Sequence, residues 1–283
     1  MCVLQTKIRC WDEFLRIIEP HLEKCRQNKR MDYLYRGQEP PAKDSKWTLK
    51  PSLLRCFPDN TAPDEMRTRQ MRTLEDEAFR TFKAKAHLFP VPGIPWESPN
   101  CPIDWWPFMQ HYRVPTRLLD WTFSPYVGLY FAVRNLYEND GELWFFDKEV
   151  LKAPFEKAHN GQTPTEWLEQ PFEASMARKA SEGPRIYGLF SFKHTERLHA
   201  QQGAFTLCND ITLDHDKAIE ELMGDPKQGS PLEKYLIDSK LKPEILVRLQ
   251  QMNITGASLS PGMDGLGMSI AERLRVDSRS SPG

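Results

Sequence analysis

An α+β fold, a small mixed or antiparallel sheet with several flanking helices, is the class this sequence predicts. Three observations lead there. Short aromatic and β-branched runs recur, as at Tyr33–Arg36, Leu143–Phe146 and Leu232–Ile237. Between them lie longer stretches with apolar residues at three- and four-residue spacing, as at Trp11, Phe14, Leu15, Ile18, Leu22 and Cys25. No repeat or low-complexity tract interrupts the mixture, and 283 residues are enough to bury a sizeable core.

The elements follow in order. Trp11 to Cys25 reads as an amphipathic helix. Tyr33–Arg36 is a short strand ending at Gly37, which presents a residue at its tip. Residues 38–63, rich in Pro, Lys, Asp and Ser, form a loop interrupted by a turn at the LLR of Leu53–Arg55. Residues 64–87 carry spaced Met, Leu, Phe and Ala among charges and form a long helix. Five prolines in 89–103 exclude regular structure there. Trp105, Trp106 and Met109 make a short helix. Pro115 then forces a bend and pushes Val114 towards an extended conformation. After the bend, Ser124 can cap a helix with Pro125 in its first turn. Thr163-Pro164 opens another helix. Leu143–Phe146, Ile186–Phe192, Gly203–Leu207 and Leu232–Ile237 are strand candidates. Lys242–Met252 and Met263–Arg275 are the last helices. One domain over 1–277, with an N-terminal helix and a C-terminal helical part, precedes a frayed tail at 278–283.

Composition narrows the function classes. The net charge is −1 and the sequence pI is about 6.7, so attraction to nucleic acid is not built into the whole surface. A local basic groove stays open. Cys2, Cys10, Cys25, Cys56, Cys101 and Cys208 are scattered without a CxxC pair, which fits reduced thiols rather than a zinc site or disulfide scaffold. MCVLQTKIRCWDEF lacks a signal-peptide apolar stretch, and no run approaches a membrane span. A cytoplasmic protein with no membrane partner is the expectation, and no metal is expected.

The segment Gln110–Val133, QHYRVPTRLLDWTFSPYVGLYFAV, gathers His111, Arg113, Thr116, Arg117 and Asp120 around the bend. Polar groups at a rigid bend beside apolar sequence suggest a site. The bland alternative is a structural Arg117–Asp120 pair, a Trp121 core plug and a core Tyr130. Arg36 would then be an ion-pair partner of Asp120 or Glu39.

Upstream lie YRGQ at Tyr35–Gln38 and LKPSLLR at Leu49–Arg55. Downstream lies QQGAF at Gln201–Phe205, and MDGLG starts at Met263. With the QHYRVPTRLLDWTFSP block, these resemble the FRG domain, named for a Phe/Tyr-Arg-Gly motif, over roughly Trp11 to Phe205. The order of motifs is also distantly similar to ADP-ribosyltransferases, and that resemblance implies an ADP-ribosyltransferase-like fold with NAD as the substrate cofactor. In it, Arg36-Gly37 stands for the early-strand motif, Gly128–Ala132 (GLYFA) for the aromatic segment, and Gln201 or Gln202 for the late acidic position.

The chemistry is coherent. Cleaving nicotinamide from ribose passes through an oxocarbenium-like species. Gly37 would admit the carboxamide to the backbone. Tyr130 would stack on the nicotinamide. Arg36 suits a ribose hydroxyl or the pyrophosphate, and Arg117 lies in the same group of cofactor-binding candidates. Gln can bond a ribose hydroxyl but carries no charge. Asp120 or Glu142 would therefore supply the missing carboxylate, and His111 a general base. The implied function is NAD-dependent ADP-ribosyl transfer to a nucleic acid or nucleotide, as in a toxin or defence effector with a neutralising protein partner. The alternative is a noncatalytic nucleotide or nucleic-acid binding module, in which Arg36, Arg55, Arg113, Arg117 and Arg134 work with Tyr35, Tyr112, Trp121 and Tyr130.

Overall fold

A computed structural model describes residues 5–40, 48–58, 65–97, 100–151, 184–189, 195–223 and 231–280. Its strands are β1 (Gln5–Ile8), β2 (Tyr33–Gln38), β3 (Leu118–Thr122), β4 (Gly141–Asp147), β5 (Ile186–Leu189), β6 (Gly203–Cys208) and β7 (Leu232–Ile237). The helices among the described residues are α1 (Trp11–Asn28), α2 (Glu65–Ala86), α3 (Pro102–His111), α4 (Pro125–Val133), α5 (Glu196–Ala200), α6 (His215–Met223), α7 (Lys242–Gln251), α8 (Gly256–Leu259) and α9 (Met263–Ser280). The strands form one open sheet in the order β1-β7-β4-β2-β3-β6-β5. Only β1 and β7 run parallel; the other neighbours are antiparallel. The fold is thus the expected mixed α/β architecture.

Strand alternation divides the core. Tyr33 and Tyr35 of β2, Leu143 and Phe145 of β4 and Ile237 of β7 pack against α1, α4 and α7 on one face. Leu34, Trp144, Phe146, Leu119 and Trp121 pack on the other with Ala218 and Ile219 of α6. A third cluster joins Trp105, Trp106 and Met109 of α3 to Leu118, Phe205 and Leu207.

Several elements lie beyond the sequence expectation. β1 (QTKI) is a short polar edge strand, and α5 and α6 are added helices. β3 follows the bend directly, where the sequence shows only a passage into the next helix. The turn expected at Leu53–Arg55, by contrast, is present, as a 3-10 turn at Leu54–Cys56. The strand read over Ile186–Phe192 is described to Leu189, and the helix at Thr163-Pro164 lies outside the described residues. α9 continues to Ser280, past Ser278 where the tail was expected to begin.

Two details position the site. First, the chain turns at the bend by a left-handed residue. Arg113 has φ 66°, its N–H donates to Gln110 C=O, and Val114 N–H donates to Met109 C=O. This pair of bonds is a Schellman end to α3, and Pro115 then prevents its resumption. Second, β2 and α4 approach backbone to backbone. A Cβ at Gly37 would lie 1.8 Å from Gly128 O and 2.5 Å from Ala132 N. Gly37 is glycine because α4 occupies the space a side chain would need. Gly37→Ala should therefore lose well over the roughly 1–3 kcal/mol usual for overpacking, measured by chemical denaturation. A variant as stable as the parent would sink this explanation.

Candidate functional site

The sheet opens between β2 and β3. β2 pairs with β4 along its whole length, and β3 with β6 likewise, but β2 and β3 meet only where Tyr35 faces Thr122. Beyond that point the two strands diverge. Arg36 crosses the gap: its Nη1 donates to Asp120 C=O at 2.8 Å. A side chain thus replaces the missing ladder bond, and it does so with a charged donor.

A cavity of about 320 Å³ occupies the divergence. Arg36, Gly37, His111, Asp120 and Gln201 line it, together with Phe131, Arg134 and Arg197. Residues from β2, α3, β3, α4 and α5 therefore meet in one place. The volume lies at the lower end of the range for small-molecule clefts.

The charges differ in character. The Asp120 side chain is 61% exposed, and its Oδ2 lies 3.9 Å from Arg36 Nη1. Its carboxylate is available to a ligand. Arg36 is largely buried, and its Nε has no hydrogen-bond partner. Burial pushes this guanidinium down to about 10; Asp120 opposes the shift and Arg55 adds to it. His111 is half-buried and is pushed below its ordinary value by burial and then by Arg197. It is a neutral imidazole at pH 7, able to accept a proton. Glu39 also reaches the cavity wall, but Lys242 Nζ holds it at 2.7 Å.

The remaining sequence candidates lie elsewhere. Tyr130 is 1% exposed and does not line the cavity; its hydroxyl donates to Glu272 Oε1, and Gly256 N–H donates to Glu272 Oε2 at 3.3 Å. One residue on, Phe131 faces the cavity instead, with the Arg134 guanidinium 5.2 Å from its ring centre. α4 is apolar on all sides, so its periodicity does not say which ring faces out. Arg117 does not pair with Asp120. It forms a two-pronged buried pair with Glu75 of α2 and lies over Trp106 at 5.2 Å, outside the cavity lining.

Gln202 is also outside the lining. It takes φ 46° and closes α5 through its N–H to His199 C=O, so QQG is in part a helix terminus. Glu142 is spent on Gln38 Nε2 at 2.8 Å and Lys234 Nζ at 2.5 Å. The site residues missed at the sequence level are Phe131 and Arg197. Arg197 sits four residues before Gln201, one helical turn away, and that spacing is the signal that could have found it.

The family model of the FRG domain matches residues 31–141. The chain carries an FRG domain. The match covers β2 through α4 and so contributes Arg36, His111, Asp120, Phe131 and Arg134 to the cavity. Arg197 and Gln201 lie outside the matched segment, so the cavity of this FRG protein is closed by chain beyond it. No curated protein and no solved structure matches the chain. Among the described residues of the FRG protein, no helix is long and apolar enough to cross a membrane. Among those same residues, no group of three or more His, Cys, Asp or Glu could hold a metal ion.

Proposed function

We propose that the cavity takes the nicotinamide riboside end of NAD and transfers its ADP-ribosyl group to a nucleic-acid or nucleotide acceptor. One observation carries this reading: the exposed Asp120 carboxylate, next to Arg36, in a cavity shared with His111 and Gln201. The bond from ribose C1′ to the nicotinamide nitrogen breaks, and its electron pair leaves with nicotinamide. Asp120 faces the positive charge that develops on the ribose and supplies what Gln201 cannot. Phe131 offers the ring face, in place of Tyr130. Arg36 aligns a ribose hydroxyl or a phosphate oxygen. The acceptor oxygen or nitrogen attacks C1′, and neutral His111 takes its proton.

Gly37 enters this reading differently from the expectation. Its close approach serves α4, so the carboxamide grip is not assigned to it. The test is incubation of the purified chain with NAD and detection of released nicotinamide. Release should fall on the acid side, with the limb below pH 6.5, because the His111 imidazole must be unprotonated and its environment disfavours the proton. No release, with or without single-stranded DNA or RNA, would sink the enzyme reading.

A second reading has its own observation. Gln201 Nε2 donates to Leu259 C=O at 3.0 Å, so this amide already holds α8. That favours a noncatalytic nucleotide-binding module, in which Arg36, Arg134 and Arg197 bind phosphates. NAD binding without nicotinamide release would decide for it.

A further inference from the structure

With Gly37 turned to α4, the carboxamide of a bound nicotinamide still lacks a partner. A carboxamide offers one acceptor and two donors, and a second primary amide matches it with one bond in each direction. Four side-chain amides line the cavity, those of Gln38, Gln110, Asn135 and Gln201. Three of them are engaged within the protein. Gln38 Nε2 donates to Glu142 at 2.8 Å, Gln201 Nε2 donates to Leu259 C=O at 3.0 Å, and Gln110 Oε1 accepts from the Thr116 hydroxyl. The half-buried Asn135 side chain has no hydrogen-bond partner among the described residues. Its backbone is nonetheless fixed. Asn135 N–H donates to Glu39 Oε2 at 2.7 Å, Tyr137 N–H donates to Glu39 Oε1 at 2.8 Å, and the buried Lys242 holds Glu39 at 2.7 Å. An unspent donor and acceptor on a fixed backbone form a preorganised ligand contact. Asn135 also follows Phe131 by four residues, and Arg134 N–H still donates to Tyr130 C=O at 3.0 Å as α4 ends. The ring and the amide therefore share one side of the chain, one helical turn apart.

We propose that Asn135 is the specificity-determining residue for the leaving group: its Nδ2 donates to the carboxamide oxygen, and its Oδ1 accepts from the carboxamide NH2. This rests on the reading that the cavity takes the nicotinamide end of NAD. The class of ligand selected is an aromatic ring bearing a primary carboxamide. Phe131 stacks on the ring, and Asn135 reads the group at its edge. A ring bearing a ketone keeps the acceptor but has no N–H to give. Asn135 Oδ1 would then be left unpaired in the occupied cavity, and a site built to bond a donor rejects the analogue that lacks it.

Calorimetric titration of the full chain with NAD and with acetylpyridine adenine dinucleotide, in which a methyl group replaces the NH2, tests this. The parent should bind NAD about tenfold more tightly than the analogue, the scale for one polar group left unpaired. Asn135→Leu keeps the backbone N–H that Glu39 holds and removes both side-chain bonds. It should weaken NAD binding and bring the two affinities together. Asn135→Asp keeps an acceptor for the NH2 and should keep the preference for NAD. The ratio of the two affinities does not depend on the folded fraction, so lost stability cannot imitate this pattern. Equal affinities in the parent would overturn the proposal, and so would an Asn135→Leu variant with the parent's preference. Either result with nicotinamide release intact leaves the proposed function standing. NAD binding without release ends the enzyme reading, and the preference still decides the role of Asn135. A parent that binds neither dinucleotide overturns both.

Discussion

Arg117→Ala should lower the unfolding free energy by about 3–5 kcal/mol, the range for breaking a buried ion pair from one side. Arg117 and Glu75 are 9% and 6% exposed at the side chain, and the carboxylate receives both Nε and Nη2. Removing the guanidinium strands a charge that water cannot reach. It also strips the cation from the Trp106 ring, 5.2 Å away. Glu75→Ala should cost a similar amount. The pair of substitutions Arg117→Met with Glu75→Leu should cost far less than either alone, because no charge is left unpaired. Urea denaturation of the parent, Arg117→Met, Glu75→Leu and the double variant forms a double-mutant cycle. An Arg117→Ala midpoint equal to the parent's would refute the scaffold role. It would also reopen Arg117 as a ligand contact, although the structure gives it no cavity face.

Asp120→Asn should reduce nicotinamide release by about a hundredfold to a thousandfold, the scale for deleting one electrostatic partner of a charged transition state. The same variant should keep its melt. The side chain is 61% exposed, and the contact that spans the split sheet uses the Asp120 backbone carbonyl, which Asn retains. NAD affinity should change little, since the carboxylate acts on charge that appears only as the bond breaks. The comparison with Arg36→Ala is informative. That variant loses both a ligand contact and the bond that bridges β2 and β3, so release and stability should fall together. Asp120→Asn turnover within tenfold of the parent would remove Asp120 from the chemistry. Retained NAD binding in that case would leave the binding-module reading standing.

Much of this architecture was legible in the residues. The stripe of α1 repeats Trp11, Phe14 and Ile18 on one buried side. Ser124 caps α4 through its hydroxyl to Val127 N–H, with Pro125 behind it, as the local rules demand. β3 was hidden because Leu118–Thr122 is apolar apart from Asp120 and runs straight from a bend into a helix cap. The residues that bound it, Pro115 before and Ser124-Pro125 after, read as a bend and a helix start rather than as the ends of a strand. The site was legible as a set of motifs but not as a set of contacts. Tyr130 and Phe131 are adjacent rings on an all-apolar helix, and a rotation of about 100° per residue decides which one meets the cavity.

By itself, then, the sequence determined the local events: the amphipathic α1, the break at Pro115, the Ser124 cap, the strand-forming runs and the FRG motifs around Arg36 and Asp120. Each depends on steric and hydrogen-bonding rules acting within a few residues. The tertiary structure alone decided which groups pair. Arg117 found Glu75, 42 residues upstream, rather than Asp120 three residues on. Gly37 met the backbone of α4 on the side where a Cβ would lie. The parting of β2 from β3 after Tyr35 opened a cavity that residues from five elements share. Such pairings depend on which surfaces the whole chain buries together, and sequence spacing does not encode that distance.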